Sequence, residues 1–299
     1  MKQRQLGTHG LRVSSIGLGT RAWDANLSPE TAAQVLRRFV SAGGTLIDVT
    51  PATHFGAAQR LLGTVLPDFS RDDLVLSLSL GVDPEAPVGR RVDCSRRNLF
   101  RQLDRSLAEL GLTHVDLVSA EYWDGATPPA EVADTLEAIV RSGRARYAGL
   151  RGYEGWQLAV TPSPVIAAAG AEYSLIDRSA ERGILPAAQF LGLGFIASSP
   201  LGQGILTGKY RDGVRPTDAE VLVKLDQRSS RIVDALGTAA TGLGIAPATA
   251  ALAWALGRPG VSSTLVSVSS PEQLDDVLPA ATVTLATAIV SALDEISAV

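Results

Sequence analysis

The chain has 299 residues, 45% of them hydrophobic, and a formal net charge of −4. That length can bury a large core, and the acidic balance argues against nucleic acid or an anionic membrane as the main partner. The single Cys94 excludes an internal disulfide framework and a cysteine-based metal cluster. The first six residues, Met1-Lys-Gln-Arg-Gln-Leu, offer no apolar leader, and no run of about 18 apolar residues occurs. A cytoplasmic location is the expectation.

Short apolar runs alternate with longer amphipathic ones along the chain. The strand candidates are residues 14–18, 45–49, 74–80, 115–119, 147–150, 165–166, 194–197 and 263–266. Helical patterns include 28–42, 95–110, 129–142, 179–191 and 246–256. Leu99, Leu103, Leu107 and Leu110 fall on one helix face. Ser28-Pro29-Glu30 reads as an N-cap followed by proline at the first helical position. Residues 208–224 are polar and turn-rich and read as a long loop. Such alternation implies parallel strands joined by helices. Eight strand candidates with no linker between them predict one (β/α)8 TIM barrel over residues 1–299. Functional residues then belong at the C-terminal ends of the strands.

Several segments, in order, resemble aldo-keto reductases. They are residues 4–20, 48–63, 95–117, 172–178 and 199–210. The resemblance implies a short N-terminal β-hairpin before the barrel, and carbonyl reduction with NADPH by an Asp, Tyr, Lys and His tetrad. At the matching positions stand Asp48, Phe55, Ser79 and Glu121. Phe55 has no hydroxyl to protonate a carbonyl oxygen. The Ser-Asn pair that holds the nicotinamide amide is replaced by Arg151-Gly152, a Gln by Gly170, and the stacking aromatic by Ser198. The last loop, 266–277, brings no cation for a 2′-phosphate, and Val277 takes the place of an Asn. Only the pyrophosphate segment survives, with Ser199, Leu201, Gly202 and Gly204 as cofactor contacts if NADP is retained.

These losses lead to the expectation of a cofactor-independent acid/base enzyme, a lyase, isomerase or cyclase, acting on a small organic metabolite. Glu121, His54 and Asp48 are its candidate catalytic residues, since imidazole titrates near neutral pH and burial can raise a carboxyl pKa. Arg151 can grip a carboxylate or phosphate bidentately, and Trp23, Tyr122, Trp123 and Glu172 join it as substrate contacts. No metal site is read from the spacing of His and carboxylates. The first alternative is an NADP-dependent oxidoreductase with atypical residues. The second is a catalytically silent scaffold or regulatory subunit with a protein partner.

Overall fold

A computed structural model describes residues 1–23, 26–51, 56–211, 214–216 and 219–298. Eight parallel strands close into a barrel: β3 (Ile16–Gly19), β4 (Leu46–Val49), β5 (Val75–Leu80), β6 (Val115–Glu121), β7 (Ala145–Arg151), β8 (Ile166–Glu172), β9 (Gly194–Ser198) and β10 (Val261–Ser267). They pair in chain order, and β10 closes on β3. The expected (β/α)8 architecture is therefore present. The expected hairpin is β1 (Gln3–Gln5) with β2 (Arg12–Ser14), paired antiparallel.

The hairpin plugs the N-terminal end of the barrel. Leu6 and Val13 pack there with Leu46, Leu117, Ala168, Ile196 and Leu265. Arg4 Nη1 ties it down by donating to the carbonyls of Leu256 and Val261, each at 2.9 Å. Side chains alternate along a strand, so moving up two residues from this apolar layer gives the next inward-facing set. That set is polar or tiny: Asp48, Ser119 and Gly170, with Ser77 and Ser79 beside them. One further step up brings Glu121 to the rim of the mouth. The barrel is thus greasy at its base and charged at its mouth.

The outer faces of the strands pack under helices. Helix α1 (Pro29–Ser41) starts as read, with Ser28 Oγ accepting from Thr31 N–H and proline in the first turn. Next come α2 (Ala57–Val65) and α3 (Arg96–Leu110), where the four expected leucines are buried. After α4 (Pro129–Arg141) and the short α5 (Gly155–Ala159), the 179–191 pattern is broken by Gly183 into a 3-10 turn and α6 (Ile184–Phe190). The 208–224 stretch contains a helix, α7 (Ala219–Lys224). The shell is completed by α8 (Gln227–Leu243), α9 (Pro247–Leu256), α10 (Pro271–Asp275) and α11 (Thr287–Ile296). No single helix among the described residues is long and apolar enough to cross a membrane.

The largest departure in the sheet is β8. Its sequence, Ile166-Ala-Ala-Ala-Gly-Ala-Glu172, carries few β-favouring side chains beyond the first, so only 165–166 reads as strand. The structure extends it to Glu172, because small residues fit where a neighbour's side chain crosses the barrel.

Candidate active site

Asp48 ends its side chain inside the barrel and is 7% exposed. Ser77 Oγ donates to its Oδ1 at 2.7 Å. Arg151, the last residue of β7, reaches across the mouth. Its Nη1 donates to Asp48 Oδ1 and Oδ2 at 3.0 and 2.9 Å, and lies 2.6 Å from Ser79 Oγ. Ser79 occupies the lysine position of the resemblance, so the cation absent from β5 is supplied from β7 instead. Gly170 leaves the room: a Cβ there would stand 3.1 Å from Arg151 Cγ and 3.6 Å from Nε. The replacements at 79, 151 and 170 are therefore one rearrangement in space, although they lie far apart in the chain.

Arg151 was expected to present a two-pronged grip to substrate. Its Nη1 is instead committed to Asp48 and Ser79, which leaves Nε and Nη2 without a hydrogen-bond partner among the described residues. Burial alone pulls the guanidinium pKa down, but Asp48 and Glu121 more than offset it, so the charge is locked in place.

Glu121 is half-buried at the end of β6, in register with Arg151. No described residue donates a hydrogen bond to its carboxylate. Burial raises its pKa, with Asp48 adding to the rise while Arg151 and Arg21 oppose it. Tyr122 follows with φ of 65°, an uncommon conformation for a residue with a side chain. Its ring lies over Gly152, itself at φ 65°, where a Cβ would stand 2.4 Å from Tyr122 Cδ1. Tyr122 is 50% exposed, and its hydroxyl pKa is raised by burial and then by Glu121.

The remaining expected residues separate. Trp23 is fully buried and donates from Nε1 to the carbonyl of Val268 at 3.0 Å. It braces the mouth from the core, which corrects its reading as a substrate contact. Trp123 packs on Tyr153 and Trp156, with ring centroids 5.7 and 5.2 Å away. Glu172 accepts from Lys224 Nζ at 2.6 Å and Ser199 Oγ at 3.4 Å, so it anchors α7 to the end of β8. His54 and Phe55 lie outside the described residues.

The segment after β9 is built as a cradle. Ser199, Gly202, Gln203 and Gly204 have φ of 48, 55, 56 and 90°. Gly202 N–H donates to Ser199 O at 2.8 Å, and Leu206 N–H to Leu201 O at 3.1 Å. Gly204 N–H and Ile205 N–H likewise donate within the turn, to Leu201 O and Gly202 O at 3.1 and 3.2 Å. Lys209 lies against it, with Nζ 2.7 Å from where a Cβ on Gly204 would be. Sequence reading searched for a cation in the last loop and passed over this one, although Gly208-Lys209-Tyr210 stood in the resembling segment. In that last loop Asp275 is paired with Arg38 of α1. Val277 is buried, and its apolar side chain cannot supply the amide contact of the Asn it replaces. Lys209 and this turn are the residues that would meet a dinucleotide's phosphates, while Arg151, Gly152 and Gly170 stand where the resemblance places the nicotinamide amide contacts.

The profile of the Aldo/keto reductase family matches residues 15–298. An uncharacterized oxidoreductase, YrpG, of Bacillus subtilis is 28% identical over 99% of this chain and 96% of its own length. The L-glyceraldehyde 3-phosphate reductase of Escherichia coli K12 is 31% identical over 92% of this chain and 86% of its own length. These likenesses overturn the expectation of a cofactor-independent lyase, isomerase or cyclase, since relatives matched across the whole barrel are named oxidoreductases. The inference from lost tetrad positions failed because it counted positions in the chain, whereas Arg151 restores the buried cation from another strand.

Proposed function

Because the chain belongs to the aldo/keto reductase family, we propose that it is an NADP(H)-dependent oxidoreductase that reduces a small aldehyde or ketone. The retained cradle of Ser199, Leu201, Gly202 and Gly204, with Lys209 against it, carries this reading. Lys209 would supply charge to the dinucleotide's phosphates, beside those backbone N–H groups of the turn that its own bonds do not use. When bound, the cofactor supplies hydride to a carbonyl carbon.

The chain's own residues supply the rest. Glu121 is the proton donor in place of the missing tyrosine hydroxyl: burial favours its protonated form, and no described residue donates a hydrogen bond to its carboxyl. Asp48 fixes Arg151 beside it. Tyr122 walls the mouth on the solvent side. The relative that reduces L-glyceraldehyde 3-phosphate by name makes short hydroxylated aldehydes the first substrates to try.

The test is a fluorescence and calorimetric titration with NADPH of the wild type and Lys209→Met, at low and moderate salt. Micromolar binding is expected, weakened about 10- to 100-fold in the variant, as befits one charge-assisted contact. NADPH should then be consumed with glyceraldehyde, its phosphate or a short aldehyde. No binding at millimolar cofactor sinks the proposal.

A further inference from the structure

Arg151 makes one more assignment possible, which rests on the oxidoreductase reading above. A guanidinium carries five N–H donors in a fixed plane. Here only Nη1 has described protein acceptors, two on Asp48 and one on Ser79. Buried donors without acceptors are costly, so those left over need water or a ligand. Some guanidinium atoms among the described residues are sealed without partners, namely Arg71 Nε and Arg258 Nε. Those of Arg151 are not among them, and its side chain keeps 15% of its surface exposed. The unpaired edge therefore opens on the barrel mouth. Glu121 lies alongside, one strand away in register. Two contacts hold the edge in place: the Asp48 carboxylate grips the inner end, and Gly170 admits the stem.

We propose that the Nε–Nη2 edge of Arg151 is the hydrogen-bond donor to the substrate's carbonyl oxygen, with Glu121 delivering the proton. A bound reduced nicotinamide would supply hydride for the new C–H bond, and the C=O π pair would move onto oxygen. Arg151 holds that oxyanion, the Glu121 O–H bond breaks as its proton passes to oxygen, and the alcohol leaves a Glu121 carboxylate and oxidised nicotinamide. A donor already fixed by Asp48 needs no reorganisation as charge develops, which is where such groups contribute most. One arginine thereby does two things: its inner edge balances Asp48, and its outer edge binds the reacting oxygen.

The experiment compares wild type, Arg151→Lys and the charge-neutral pair Asp48→Asn/Arg151→Met. For each, circular dichroism, NADPH dissociation constant and aldehyde-dependent kcat are measured, and for the wild type the ¹H–¹⁵N resonance of the Arg151 Nε–H is followed during acetate titration. Arg151→Lys should lose about 100-fold in kcat or more with NADPH affinity within about threefold, since the site's loss is in the developing charge. The double variant, which buries no unpaired ion, should fold and show the same loss. Acetate, an oxyanion probe, should shift the Nε–H resonance of the wild type. Either variant at near-wild-type kcat, or an Nε–H signal unmoved by acetate, overturns the proposal. A wild type that neither binds nor consumes NADPH overturns the oxidoreductase reading instead, and acetate then reports on the Arg151 edge alone.

Discussion

Arg151 and Asp48 stand on β7 and β4, 103 residues apart, yet Nη1 bonds both carboxylate oxygens at 3.0 and 2.9 Å. The Arg151 and Asp48 side chains are only 15% and 7% exposed. Removing one partner of so buried a pair strands a charge, whereas removing both does not. Arg151→Met should therefore lose about 3–5 kcal/mol of stability. Adding Asp48→Asn should restore most of it. Urea denaturation of the two single variants and the double variant checks this as a cycle.

Gly170 gives a second handle on the same pair. A methyl there would stand 3.1 Å from Arg151 Cγ and 3.3 Å from Ile196 O, tighter than side chains ordinarily pack. The carbonyl belongs to β9 and cannot yield, so the arginine must. Gly170→Ala should cost about 1–3 kcal/mol by overpacking and lower kcat by shifting the guanidinium. A melting curve alongside turnover tests it. Wild-type turnover in Gly170→Ala would mean that Arg151 tolerates displacement.

The barrel was legible in the sequence because its signals are local. Leu99, Leu103, Leu107 and Leu110 mark one helix face, and Ser28-Pro29 marks a start. β8 was not, since alanine and glycine say little about strand by themselves, and their reason lies in a side chain from the next strand. The site divides in the same way. Asp48 and Glu121 could be placed at the mouth from strand ends. The Asp48–Arg151–Ser79 contact could not, because it depends on which way one side chain crosses the barrel. Trp23 misled for the converse reason: an indole after a strand end has no local mark that says it turns into the core, where its N–H finds Val268.

The raised pKa of Glu121 has a readable consequence for stability. A carboxyl whose folded pKa lies above its unfolded value makes the native state bind more protons than the unfolded state. Stability is then highest below the ordinary value of 4.5 and declines as pH rises from there through the folded pKa. Glu121→Gln removes this component and should flatten the curve over that interval. Activity should share the alkaline limb, since the donor must be protonated. Melting temperatures of both proteins against pH provide the check. A variant that declines as steeply as the wild type would place the titration elsewhere.

Tyr122 and Gly152 make the last prediction. Both residues have φ of 65°, and Tyr122 N–H donates to the carbonyl of Arg151 at 2.7 Å. The left-handed backbone at 152 suits glycine, and the ring above leaves no room for a side chain. Gly152→Ala meets two costs: about 1–2 kcal/mol for the backbone, and displacement of the Tyr122 ring from the mouth. It should therefore destabilise the fold and raise KM, while Tyr122→Ala should raise KM with far less effect on stability. If Tyr122→Ala leaves KM unchanged for every aldehyde tried, the ring is packing over Gly152 and does not wall the substrate's path.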